Sequence, residues 1–158
     1  MNNKEFTLGK ISELEFSKLF NGVSVADKNS DMYEHWDLSI ETKIDVKSIK
    51  KQSREDLTYN ENFHWVEIKN VNGDNGWLYG LADYFAFETD DYWIIVEKGR
   101  LQDFIDKKCD KNIGKTKDPY CFFSRKDRKD IIVKVKTLDL VFISSKLLTK
   151  CAKINSQE

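Results

Sequence analysis

Asp37, Asp45 and Lys47 are the residues of this sequence whose types and spacing best suit chemistry. Asp37 lies in HWDLSI, and Asp45 and Lys47 lie in KIDVKSIKK. In both segments apolar and polar positions alternate, which is the period of a half-buried strand. Successive strand side chains point to opposite faces, so Asp45 and Lys47 share one face. A tight turn at Glu41 and Thr42 would bring Asp37 to that same face on the preceding strand. Two ionised carboxylates held side by side repel each other. A hard divalent cation removes the conflict, and magnesium prefers oxygen ligands while keeping several waters. A metal-bound water can attack a phosphodiester, and the ion also stabilises charge on the phosphate. Lys47 would orient that water or stabilise the developing charge. Asp37 and Asp45 are therefore expected to bind Mg2+ or Mn2+, with Lys47 beside them. A lone D-x-K triplet is more often a surface charge pair, so its weight comes from the elements that position it.

Those elements are legible in outline. Apolar residues at Phe6, Leu8, Ile11, Leu14, Phe16, Leu19 and Phe20 predict an amphipathic helix over 6–20, stopped by Asn21 and Gly22. Residues 23–32 read as a loop, 35–40 and 43–49 as a strand pair, and 50–61 as a charged loop. A third strand is predicted over 63–71, punctuated by residues 73–76. Leu78, Leu81, Ala82, Phe85 and Ala86 have helical spacing and predict a helix over 77–87. The run YWIIV at 92–96 predicts a strand covered on both faces. A short helix is expected over 101–108, then a hairpin of 120–124 with 131–135 across the charged turn 125–130. The tail, 138–153, reads as irregular and then helical.

Composition sets the frame. The chain has 158 residues and a single proline, Pro119, with no linker-like stretch, so one domain over 1–158 is expected. An apolar content of 40% argues against disorder. Cys109, Cys121 and Cys151 match neither a zinc site nor a redox pair. No apolar run is long enough to cross a membrane, and MNNKEFTLGK does not read as a signal peptide, so a cytoplasmic location is expected. The formal net charge of −1 hides an asymmetry: residues 1–97 carry −9 and residues 98–158 carry +8. Within the basic part Arg125, Lys126, Arg128 and Lys129 crowd one turn, and Lys50 and Lys51 extend the strand that carries Lys47. All six are candidate contacts for a nucleic-acid backbone, whose charge such patches hold. His35 would share a strand face with Asp37, whereas His64 and the tryptophans Trp36, Trp65, Trp77 and Trp93 read mainly as structural. The run Asn72 to Gly76 is no phosphate loop, because no G-K-[ST] follows.

With these pieces in place, HWDLSI, KIDVKSIKK, HWVEIKN, GWLYGLADYFAFE and YWIIVEK resemble, in that order, the PD-(D/E)xK nuclease superfamily. The combination is similar to small phage-encoded or bacterial members of its Holliday-junction-resolvase-like branch. The resemblance covers residues 10–97. It implies an α/β (α+β) fold with an αβββαβ core, a mixed central sheet flanked by helices. A C-terminal hairpin and helix would be added to that core. It implies a metal-dependent DNA endonuclease, with Asp37 and Asp45 as metal ligands and Lys47 as the motif lysine. Many members add a carboxylate from the first helix; Glu15 is the candidate, with Glu13 next. Duplex or branched DNA is the implied partner, and the branch implies a homodimer. The alternative is a catalytically inactive protein of the same fold that binds DNA or another protein, such as a phage factor acting on a host system. A second register, Asp45 with Glu67-Ile68-Lys69, would leave the HWD strand surplus.

Overall fold

A computed structural model describes residues 3–20, 23–39, 42–50, 58–114 and 117–150. Lys51, Lys115, Cys151, the helix stop at Asn21 and Gly22, and Glu41 of the expected turn lie outside the described residues. The fold is a mixed α and β arrangement of two sheets and three α-helices among the described residues.

The chain opens with α1 (Asn3–Ser17), followed by a two-residue strand, β1 (Ser24–Val25), and a π-helical turn, Ser30–Glu34. The site hairpin comes next, as β2 (Leu38–Ser39) and β3 (Lys43–Lys47). They are antiparallel, with Leu38 opposite Ile44 and Ser39 opposite Lys43. The expected strand over 35–40 is shorter at its start, because His35 takes a left-handed backbone (φ 56°) that interrupts the alternation. Trp36 consequently packs with the opposite cluster from Leu38.

The third predicted strand exists as β4 (Phe63–Lys69) but joins a different sheet from β3. This removes the Glu67/Lys69 register, since Asp45 and Glu67 do not lie on adjacent strands. Residues 77–87 are not a helix. A 3-10 turn, Trp77–Tyr79, is followed by β5 (Tyr84–Glu88), which runs parallel to β3. The physical reason is burial on both faces: Phe85 and Phe87 point into one cluster and Ala86 into the other, so YFAFE fills a central strand. Short apolar runs satisfy both periods, and tertiary contacts decide between them. The αβββαβ order is therefore replaced, after the three strands, by a turn and two further strands.

β6 (Tyr92–Glu97) is the predicted apolar strand, and α2 (Lys98–Lys108) follows it. β7 (Asp110–Gly114) and β8 (Cys121–Phe123) precede β9 (Ile131–Lys136), and β8 and β9 form the expected antiparallel hairpin. The tail differs from expectation, being helical first in α3 (Thr137–Ile143) and then extended in β10 (Lys146–Thr149). β10 closes the edge of the first sheet against β6.

The six-stranded sheet has the order β1-β2-β3-β5-β6-β10, and the four-stranded sheet β4-β9-β8-β7. The main core lies between the sheets and α2 and α3, where Val66, Phe85, Phe87, Val133, Val135, Leu101 and Leu140 are fully buried. A second cluster seats Phe16 of α1 on Ile44, Val46, Trp93 and Ile95. Each such side chain contributes about 1.5–3 kcal/mol when buried. β3 is thus held on its α1 face by Ile44 and Val46, while Asp45 and Lys47 face the space between the sheets.

Candidate active site

Asp37 and Asp45 are brought together by a register that stops one residue short. The β2–β3 pairing ends at Leu38 opposite Ile44, and just beyond it the Asp37 carboxylate lies close enough to Asp45 to raise its pKa. The Asp37 amide donates to the Ile44 carbonyl at 2.9 Å, one residue out of the register that pairs Ile44 with Leu38. Beyond this point β2 has peeled away, and Asp37 Oδ2 accepts the Val46 amide at 2.6 Å in place of a strand partner. Asp37 is 6% exposed and Asp45 3%.

Lys47 Nζ stands 2.5 Å from Asp45 Oδ1. The other oxygen, Oδ2, is buried with no hydrogen-bond partner among the described residues. Burial pushes the Asp45 carboxyl up to about 8, helped by the neighbouring Asp37 charge and opposed by Lys47. A buried, unpartnered carboxylate oxygen beside a second carboxylate is costly unless a proton or a cation compensates it. That donor pair fits a hard divalent cation, which would take Asp37 and Asp45 as protein ligands and complete its shell with water. Among the described residues no set of three His, Cys, Asp or Glu side chains converges on one point, so the fit rests on two carboxyl groups.

Lys47 is held from the far side by Trp77, whose ring centre lies 4.4 Å from Nζ. Trp77 packs in turn on Phe85 and Phe87, at 4.8 and 6.2 Å between ring centres. Its turn fits tightly between two glycines. A Cβ at Gly76 would lie 2.4 Å from the Glu67 carbonyl oxygen, and one at Gly80 would lie 2.7 Å from the His35 Cβ. The sequence pattern G-W-L-Y-G is the signal that marks this turn. His35 is half-buried, and its imidazole is shifted toward the neutral form by burial and by the Lys47 charge.

The helix carboxylate that reaches this region is Glu13 rather than Glu15. Glu13 is raised above its usual range by burial, and the Asp37 charge adds to the rise; Lys10, 2.7 Å away, opposes it. Glu15 lies two residues on, about 200° around the helix from Glu13. The sequence argument placed Glu15 on the face of Ile11, and Ile11 and Leu14 are 46% and 58% exposed. The face actually buried is that of Ser12 and Phe16. Ser12 Oγ donates to Glu88 Oε2 at 2.7 Å, and the same oxygen accepts the Ile49 amide at 3.2 Å. Glu88 therefore ties α1 to the exit of β3. A buried serine in register with Phe16 was the sequence signal for it.

The basic residues divide. Lys50 follows β3 and is exposed. Lys126, Arg128 and Lys129 are exposed at the β8–β9 turn and make no ion pair among the described residues. Arg125 is bonded to the buried Asp130 through Nε and Nη2. The turn stands beside the loop leading to Trp77, since a Cβ at Gly73 would lie 3.3 Å from the Lys129 Cβ. Comparison with family models, with curated proteins and with solved structures finds no match to this chain.

Proposed function

We propose that this chain is a metal-dependent phosphodiesterase that cleaves DNA, an endonuclease or resolvase-like enzyme using Mg2+ or Mn2+. The observation that carries the reading is the buried Asp37–Asp45 pair, with one Asp45 oxygen lacking a partner and Lys47 2.5 Å from the other. A cation bound there supplies an acidified water and positive charge at the phosphate. Asp45, once deprotonated to solvent, and Asp37, fixed by the Val46 amide, would hold the cation. Lys47, steadied by Trp77, would orient that water or stabilise charge on a phosphate oxygen. Glu13 adds negative charge beside Asp37. Lys50, Lys126, Arg128 and Lys129 are the proposed backbone contacts, with Arg125 shaping their turn. Lys51, in the same basic stretch, belongs to the proposal by sequence. Positioning and preorganised charge would supply most of the rate.

The membership in the PD-(D/E)xK superfamily that the motifs imply rests here on the hairpin and on the α1 carboxylate. The strand and turn at 77–88 do not support it. A second reading is a catalytically inactive relative that binds DNA or a protein partner. The Lys47–Asp45 contact favours it, since this ammonium is already engaged by Asp45 Oδ1. The deciding experiment incubates wild type and Asp45→Ala with plasmid, single-stranded and four-way-junction DNA in magnesium or manganese. Cleavage by the wild type alone is expected. No cleavage in any condition, or equal cleavage by the variant, would sink the catalytic reading. Light scattering on the same preparations tests the implied homodimer.

A further inference from the structure

β4 and β9 bury one face and leave the other partly exposed. His64, Val66 and Ile68 of β4 point into the core, as do Val133 and Val135 of β9. The opposite face carries Phe63, Trp65 and Glu67 on β4, and Ile132, Lys134 and Lys136 on β9. Register pairs Phe63 with Lys136, Trp65 with Lys134 and Glu67 with Ile132, and Phe123 of β8 lies across from Ile132. The Lys134 ammonium sits 5.0 Å from the Phe63 ring centre and 5.7 Å from that of Trp65, and Lys117 sits 5.7 Å from that of Phe123. Trp65 and Phe123 belong to neither apolar cluster among the described residues. This face is therefore a row of partly exposed rings edged by ammonium groups, with Glu67 as the acidic member of the row.

We propose that this outer sheet face binds single-stranded DNA, with bases stacking on Trp65 and Phe63 and phosphates meeting Lys134, Lys136 and Lys117. Rings with cations between them are what an unpaired strand needs, because every base offers a π-face and every linkage a negative charge. Spacing argues against a duplex. Side chains two residues apart on a strand stand about 6.7 Å from each other, whereas bases in a duplex stack every 3.4 Å or so and hide their faces. Rings this far apart suit bases unstacked from one another. Contacts of ammonium with exposed rings are weak, so Lys134 can leave the rings for a phosphate when a base arrives.

The row ends beside the turn that holds Trp77. Glu67 ends it against Gly76, and the next residue, Trp77, covers Lys47. At the same end β9 begins at Ile131, opposite Lys69, so the turn bearing Lys126, Arg128 and Lys129 projects there. A strand lying on the rings thus meets, at the Glu67 end, both the basic turn and the turn that carries Trp77. This names the form of substrate for the activity proposed above and rests on that reading for its purpose, though not for the binding itself.

The test is fluorescence anisotropy with a labelled dT12 in EDTA, where metal-dependent cleavage cannot interfere. Competitors are a 12-base-pair duplex, rU12 and polyglutamate. The wild type should prefer dT12 to all three, and its tryptophan emission should be quenched on binding. Trp65→Ala should weaken binding about ten-fold or more, and Trp65→Phe should restore most of it. Lys134→Ala should lower the slope of log K against log salt by about 0.7. Melting curves establish that each variant is folded; if Trp65→Ala is not, the Lys134→Ala slope and the wild-type quenching decide. Unchanged affinity and slope, or a preference for duplex, rU12 or polyglutamate, would overturn the proposal. Binding as described without cleavage in magnesium or manganese would remove the enzymatic reading and leave the platform. Cleavage with unaltered binding by folded Trp65→Ala would do the reverse.

Discussion

Asp45 is the residue at which stability and chemistry pull apart. Its carboxyl is held near 8 by burial, against an ordinary value of 3.8. The folded chain therefore keeps a proton that the unfolded chain has lost, and stability falls as pH rises from about 4 to about 8. An amide copies the neutral carboxyl in shape and carries no such dependence. In EDTA at pH 8, Asp45→Asn should melt at least about 3 °C above the wild type, roughly a kilocalorie per mole for a chain of this size. In saturating Mn2+ the order should narrow or invert, because only the wild type gains a ligand. A lower melting temperature for the variant in EDTA would show that the ionised carboxylate is what the fold needs. Glu13 offers the companion comparison on α1. If its carboxyl serves the site through Asp37, Glu13→Gln should reduce cleavage at least about ten-fold while Glu15→Ala leaves it unchanged. Equal effects would remove the helix from the site.

β4 shows how one strand can serve two surfaces. Its core face contains His64, 5% exposed, with Nε2 unpartnered among the described residues and the ring edge-on to Phe87 at 5.2 Å. Burial lowers this imidazole to about 4 from 6.5. The neutral form is the folded one, so its contribution is complete above 6.5 and is lost as pH falls toward 4. The loss amounts to about 3 kcal/mol over that window. His64→Phe keeps the ring contact without the titration. Urea midpoints should show the variant gaining about that much on the wild type between pH 6.5 and 4, and a difference independent of pH would contradict the assignment. The same strand explains what a linear reading can reach. The pairing of β2 with β3 and the shared face of Asp45 and Lys47 were legible because strand period is local. The sheet that β4 joins was not, since it depends on Val66 and Ile68 meeting Val133 and Val135, far along the chain. Residues 77–87 misled for a related reason. Phe85, Ala86 and Phe87 are apolar because both faces of β5 are covered, and that imitates a helical stripe. Glu15 was favoured over Glu13 because Ile11 looked like a core residue, and only packing shows that Ser12 and Phe16 turn inward.

At the scale of the whole molecule, the fold brings opposite charges into contact. Residues 1–97 carry −9 and residues 98–158 carry +8, yet β4 pairs with β9 and β6 with β10. The acidic half thus supplies the carboxylate pair, and the basic half supplies an exposed turn beside the loop that leads to Trp77. If this division governs affinity, cations at the β8–β9 turn should act through salt-dependent binding, and those used inside the fold should act through stability. Replacing Lys126, Arg128 and Lys129 together by alanine removes exposed charges with no ion pair among the described residues. For a single strand the slope of log K against log salt should fall by about 2, at about 0.7 per phosphate contact, with little change in melting temperature. Arg125→Ala should behave in the opposite way. It strips the guanidinium from Asp130, which is 0% exposed, and should cost about 2 kcal/mol of stability. Its salt slope should change by less than one contact's worth. The Arg125 amide still reaches Asp130 at 3.3 Å, so the turn retains part of its shape. Were the triple variant to keep the wild-type slope, the basic half would be a solvated surface, and its place beside the loop leading to Trp77 would have no bearing on binding.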